Sequence, residues 1–281
     1  MFDFRYHALS LGAVFLALGL GIVLGATLGD QVVSTANRDL RSSLRGEVEK
    51  ARSNARDASA QVKNRDAFID ASFGRIADTR LAGRRVAIVA SGTLPQGVES
   101  STRRAVRDAG GDIDSVTVLP ANADVAALGR TAGGRFRGLD VSDAGAVGAL
   151  GRRLGRVLVV GGRSARRFED ASPDEFKGDF RGADAVVFYR DSEAKRSDAA
   201  KALEGGVILG LRRTRRPVAG VEEIDTNSSR IPFYEDAGLS SIDNVDTPAG
   251  RIALVLVLDG AHGNFGFKRT ADAPLPPVGS R

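Results

Sequence analysis

Residues 86–111 read VAIVASGTLPQGVESSTRRAVRDAGG, and the fold follows from how this stretch divides. Val86 to Ala90 is a short run of small and β-branched apolar residues, the length and composition of a buried strand. Thr93 to Asp108 then has the mixed polar and apolar spacing of a helix, which Gly110 and Gly111 end. The alternation continues downstream. Strands are predicted at Val116–Leu119, Val157–Val160, Ala185–Tyr189, Pro217–Val221 and, as a longer apolar run, Arg251–Leu258; helices are predicted at Asp140–Leu154 and Asp198–Arg213. Strands alternating with amphipathic helices call for an α/β domain of three layers with a mainly parallel sheet, here over residues 81–273. Residues 274–281 carry three prolines and read as a disordered tail.

Residues 34–80, upstream of this domain, are polar, alanine-rich and free of proline. Val48, Ala55, Val62, Ile69 and Ile76 recur every seventh residue, with Ala51 and Ala58 at the partner position until Arg65 and Ser72 break that row. A coiled-coil stalk of about 70 Å fits this pattern and implies a homodimer or higher homo-oligomer. A lone amphipathic helix packed on its own domain would show the same beat, and the two readings stay open.

From Tyr6 to Gly29 no acidic or basic side chain occurs apart from His7. As a helix this run would extend about 36 Å, enough for a hydrocarbon core of ~30 Å. Residues 1–33 therefore read as an uncleaved signal anchor. A cleaved signal peptide competes, since Arg5 precedes the run and small residues surround Ala26, but its apolar region is usually shorter. Flanking charge does not decide orientation; an extracytoplasmic C-terminal domain at the cell membrane is the preferred arrangement. Gly21, Gly25 and Gly29 share one face on which two membrane helices could approach closely. Glycine is also frequent throughout the chain, 34 of 281 residues, so the spacing has a plainer explanation too.

The chain has no cysteine, which excludes disulfides and thiolate metal sites. Its net charge of +5 comes from basic residues scattered among 35 acids, so no nucleic-acid partner is expected. The densest cluster, Arg212, Arg213, Arg215 and Arg216, sits before Pro217 as cations do at a helix C-terminus, or could meet anionic lipid or cell-wall polymer. The first strand-to-helix turn, Ser91-Gly92-Thr93-Leu94-Pro95, lacks the dinucleotide fingerprint, and no phosphate loop occurs. Backbone amides near Gly161 and Gly162 could still hold an anion. No nucleophile–base pairing is visible, so no enzyme and no cofactor is expected. His262, Asp243 and Asp246 are the weak metal candidates, although Asp243 and Asn244 also suit turn capping ahead of the Arg251–Leu258 segment.

Three further stretches carry a resemblance: Phe4-Arg5-Tyr6-His7-Ala8-Leu9-Ser10-Leu11, Ile231-Pro232-Phe233-Tyr234, and Leu239 to Asp246 with its Asp243-Asn244-Val245-Asp246, followed by Gly250 and Arg251. Together they resemble the actinobacterial family of the mycobacterial copper transport protein MctB, which also includes the envelope and division protein SteB. The resemblance spans nearly the whole chain. It implies a membrane-anchored extracytoplasmic protein of copper efflux or homeostasis, with copper as a ligand by resemblance only. For its SteB branch it implies a scaffold or regulator of envelope assembly with a membrane or division partner.

Overall fold

Strand β1 (Arg85–Ser91) is buried from Val86 onward, and its side chains serve both faces of a sheet: Val89 on one side, Val86 and Ala90 on the other. The structure, a computed structural model, describes residues 4–277, and of residues 4–5 and 27–40 only the helical backbone. It divides into two compact units, residues 1–64 and 65–281.

The described residues of the first unit, from Phe4 on, are all helical. Helix α1 (Phe4–Ile76) begins here, and its segment Tyr6–Ala26 is long and apolar enough to cross a membrane, with a mean hydropathy of 2.3. Large apolar side chains along it are open, Leu9 by 79% and Phe15 by 65%. Further along, Leu44, Val48 and Val62 are also about half exposed. Gly21 and Gly25 have nothing within reach of an added Cβ; Gly29 lies outside the residues whose surroundings are described.

The second unit takes the last turns of α1 and the α/β fold. Its remaining elements run α2 (Gln96–Asp108), β2 (Asp112–Leu119), α3 (Val125–Ala132), a 3-10 turn (Gly134–Phe136), α4 (Ala144–Val160), α5 (Arg163–Ala171), β3 (Phe176–Gly178), β4 (Ala185–Arg190), α6 (Asp198–Arg212), β5 (Val218–Val221), α7 (Ile231–Asp236), β6 (Ser240–Ile242), α8 (Pro248–Asp259) and β7 (Asn264–Phe265). The sheet order is β3-β2-β1-β4-β5-β6-β7. Only the β2–β3 pairing is antiparallel. Val186 and Phe188 of β4 face a core shared with α3 to α7, while Ala185, Val187 and Tyr189 face α2, α8 and the end of α1. Period-two alternation thus feeds two helical layers. Ile69 and Ile76 pack on this second core beside buried Phe73 and Ala77.

Two expected strands are helices. Val157–Val160 is the last turn of α4, and Arg251–Leu258 lies inside α8. Arg251–Leu258 is buried all round, and an apolar segment without a polar face carries no period to separate strand from helix. Val157–Val160, with Leu158 and Val159 buried and Val160 exposed, is a four-residue apolar run too short to show one. Capping supplies what the apolar run lacks. Thr247 Oγ1 accepts from Gly250 N at 3.0 Å with Pro248 in the first turn of α8, and Asp143 Oδ1 accepts from Gly145 N and Ala146 N at 2.8 and 3.0 Å to start α4.

Helices α4 and α6 meet through glycine. A Cβ on Gly151 or Gly155 would strike the carbonyl of Leu203 or Val207, and one on Gly206 or Gly210 that of Gly148 or Arg152. The backbones themselves are in contact.

Candidate functional site

In an open parallel sheet, the crevice beyond the carboxyl ends where strand order reverses is the usual ligand position. Here it lies between β1 and β4. The loops after these strands are tied together: Asp191 Oδ2 accepts from Thr93 N at 3.1 Å, and its Oδ1 from Glu193 N and Ala194 N at 3.0 and 3.3 Å. Those amide bonds outweigh its desolvation and hold the Asp191 pKa below the ordinary value. Gly92, at φ 95°, passes so close that a Cβ would stand 2.5 Å from Asp191 Cβ.

The floor of the crevice is closed by the protein's own charges. Glu204, buried on α6, accepts from Ser91 Oγ at 2.6 Å and Arg190 Nε at 3.0 Å, and pairs with Arg196 at 3.1 Å. Arg196, 3% exposed at its side chain, also donates to the carbonyls of Ser91, Asp191 and Ala194 at 2.8, 3.1 and 2.9 Å. Past β5, Glu222 accepts from Lys268 Nζ and Ser229 Oγ, both at 2.8 Å.

Above this floor opens a cleft of about 390 Å³ lined by Asp191, Glu193, Glu223, Asp225 and Asp246 and by no Lys, Arg or His. Burial, then Asp246 and Asp225, raise the Glu223 pKa. Burial, then Asp191 and Glu223, push the Tyr189 phenol up to about 12. Five carboxylates repel a pyrophosphate, which agrees with the missing dinucleotide fingerprint. Oxygen donors alone suit a hard cation better than soft Cu(I), which prefers sulfur. Among the described residues no group of three His, Cys, Asp or Glu is placed to hold a metal ion.

The residues singled out from the sequence separate accordingly. Asp246 reaches the cleft, and its Oδ1 accepts from Ile224 N at 2.9 Å. Asp243, fully buried, gives both carboxylate oxygens to the amides of Phe267 and Lys268 at 2.9 and 2.7 Å. It does cap a turn, but one that leads out of β7; the segment it precedes is helix α8 and not a final strand. His262 lies at the other end of the β6–β7 pair, in a hollow with Arg212, Arg215 and Arg216. Gly250 leaves no room for a Cβ beside the Asn244 carbonyl, and Arg251 pairs with Asp70 of α1. Asn244 is fully buried with neither side-chain polar atom hydrogen-bonded. These motif positions build the β6–α8 junction.

A larger cavity, about 1210 Å³, opens at the amino ends of β1 and β4, where the C-terminal turns of α4 and α6 meet Gly161 and Gly182. Gly161 and Gly162 form the link between α4 and α5, not the end of a strand. Of the flagged arginine cluster, Arg213 and Arg216 line this cavity. Arg152 and Arg156, four residues apart on one face of α4, complete it; their spacing was visible in the sequence, their convergence on α6 was not.

The family described as copper transport outer membrane protein, MctB, matches residues 1–276, and the chain belongs to that family. No curated protein matches it.

Proposed function

We propose that this member of the copper-transport family is a single-pass envelope protein, anchored by α1 in the cell membrane with its α/β unit outside the cytoplasm. On this reading it serves copper efflux or homeostasis through oligomers or partners, not as a stand-alone channel or an enzyme. The observation that carries it is the apolar helix Tyr6–Ala26, whose exposed Leu and Phe side chains call for hydrocarbon. The sheet is open and covered by helices on both faces, unlike the closed antiparallel wall of a membrane barrel. Copper stepping along the chain would find no Cys, Met1 as the one Met, and His7 and His262 as the two His. That favours an indirect role. The test is deletion and complementation: the deletion strain should accumulate copper and grow poorly in it, and the full chain, but not a chain lacking residues 6–29, should restore both. Unchanged cell copper in the deletion strain would overturn the copper role.

A second reading, a dimeric scaffold or regulator of envelope assembly without a copper role, draws on Leu44, Val48 and Val62, an apolar row exposed in the single chain. Recovery of a membrane or division partner by the intact protein, lost with Val62→Pro, would favour it.

A further inference from the structure

We propose that the arginine-lined cavity at the amino end of the sheet binds a ligand carrying several clustered phosphate groups. This inference stands apart from any copper role. Eight arginines line the cavity against one carboxylate, Asp184, a formal balance of +7. Asp184 is shared, 4.0 Å from Arg85 and 3.7 Å from Arg216. Among the described residues, the side chains of Arg152, Arg153, Arg156 and Arg213 make no hydrogen bond or ion pair.

The ordinary explanation for cations here is the negative ends of α4 and α6. Such cations usually donate to the last carbonyls of the helix, and these four do not. Two helix ends also supply only about −0.5 of charge each, too little to balance the wall, and the start of α5 returns about +0.5. Ser164, in the first turn of that helix, faces the cavity, and Gly162 leaves the turn without a side-chain cap. The weak anion position expected at Gly161 and Gly162 is therefore one wall of a much larger basic site.

The chemistry of the wall narrows the ligand. Unpaired guanidinium forks match phosphate oxygens bidentately. A volume near 1210 Å³ exceeds what a single phosphate fills. Phe136 is the one aromatic in the lining; it is buried, and Arg135 stacks on it with the guanidinium 4.8 Å from the ring centroid. A nucleobase would find no free stacking surface, whereas linked phosphates need none.

The test uses the full chain in phosphatidylcholine nanodiscs, with calorimetric titration of inorganic tripolyphosphate in phosphate-free buffer. Saturable binding is expected. Arg153→Gln, Arg156→Gln and Arg213→Gln together should weaken it at least about tenfold, no more than the loss of one charge-assisted contact. The charge-matched triple Arg45→Gln, Arg52→Gln and Arg107→Gln should leave it unchanged. Vesicles of cardiolipin, whose headgroup carries two phosphates, diluted in phosphatidylcholine are then added as competitor. Competition assigns the site to lipid headgroups, and its absence assigns it to a soluble phosphate ligand; both support the proposal. No saturable binding to either probe, or equal weakening by both triples, overturns it.

Discussion

Glu223 carries a charge its surroundings disfavour, because partial burial and then the carboxylates of Asp246 and Asp225 raise its pKa above 4.5. An acid with a raised folded pKa is held protonated by the fold while the unfolded chain has already ionised. Stability therefore falls as pH rises from 4.5 through the folded value, and the whole penalty is present above it. Glu223→Gln should raise the melting temperature at pH 7, and the difference from wild type should close as pH drops below 4.5. Calorimetric scans of the full chain across pH check this, and a constant difference at every pH would refute the electrostatic cause. Asp191 has the opposite sign: its lowered pKa stabilises above the ordinary value and is lost in acid. Of the carboxylates of this cleft, Asp246 stands out in the sequence, together with Asp243, which the fold buries outside the cleft. Their sorting was not visible, since which acid meets an amide and which meets another acid depends on sheet order.

At the scale of elements, adjacent glycines in α6 separate packing from propensity. Gly206 faces α4, where a Cβ would enter the Gly148 carbonyl; Gly205 faces open space. Gly206→Ala should destabilise the chain by about 1–3 kcal/mol through overpacking, whereas Gly205→Ala should stabilise it by up to about 1 kcal/mol through helix propensity. Denaturant titration of both variants measures the contrast, and equal effects would remove the close-contact account of α4 and α6. The elements read correctly from sequence, β1, β2, β4, β5, α2 and α6, combine an apolar run or stripe with a turn signal at its end. Strands β3, β6 and β7 have two or three residues each, too few to show alternation. Helix α8 failed for the opposite reason: residues 249–258 are all buried, so no polar face revealed its period. Thr247 and Pro248 were the available signal.

For the whole molecule, one heptad row has two fates. Ile69 and Ile76 pack on the second core of the α/β unit, while Val48 and Val62 stand 49% and 45% exposed in the first. Of the two readings left open by the seven-residue beat, the helix packed on its own domain holds from Ile69 onward; before it Val48 and Val62 leave an apolar row exposed in the single chain, and its pairing as a coiled coil is a proposal. If that row pairs with a second copy, Val48→Asp with Val62→Asp should lower the oligomer mass of the solubilised chain and leave the melting temperature of the α/β unit in place. Ile69→Ala with Ile76→Ala should do the reverse. It should destabilise the α/β unit by about 2 kcal/mol or more, the loss from truncating partly buried isoleucines, with no primary effect on mass. Analytical ultracentrifugation and calorimetry on the two double variants separate these outcomes. A monomeric wild type would overturn the pairing of this row with a second copy and would count against the dimeric scaffold reading.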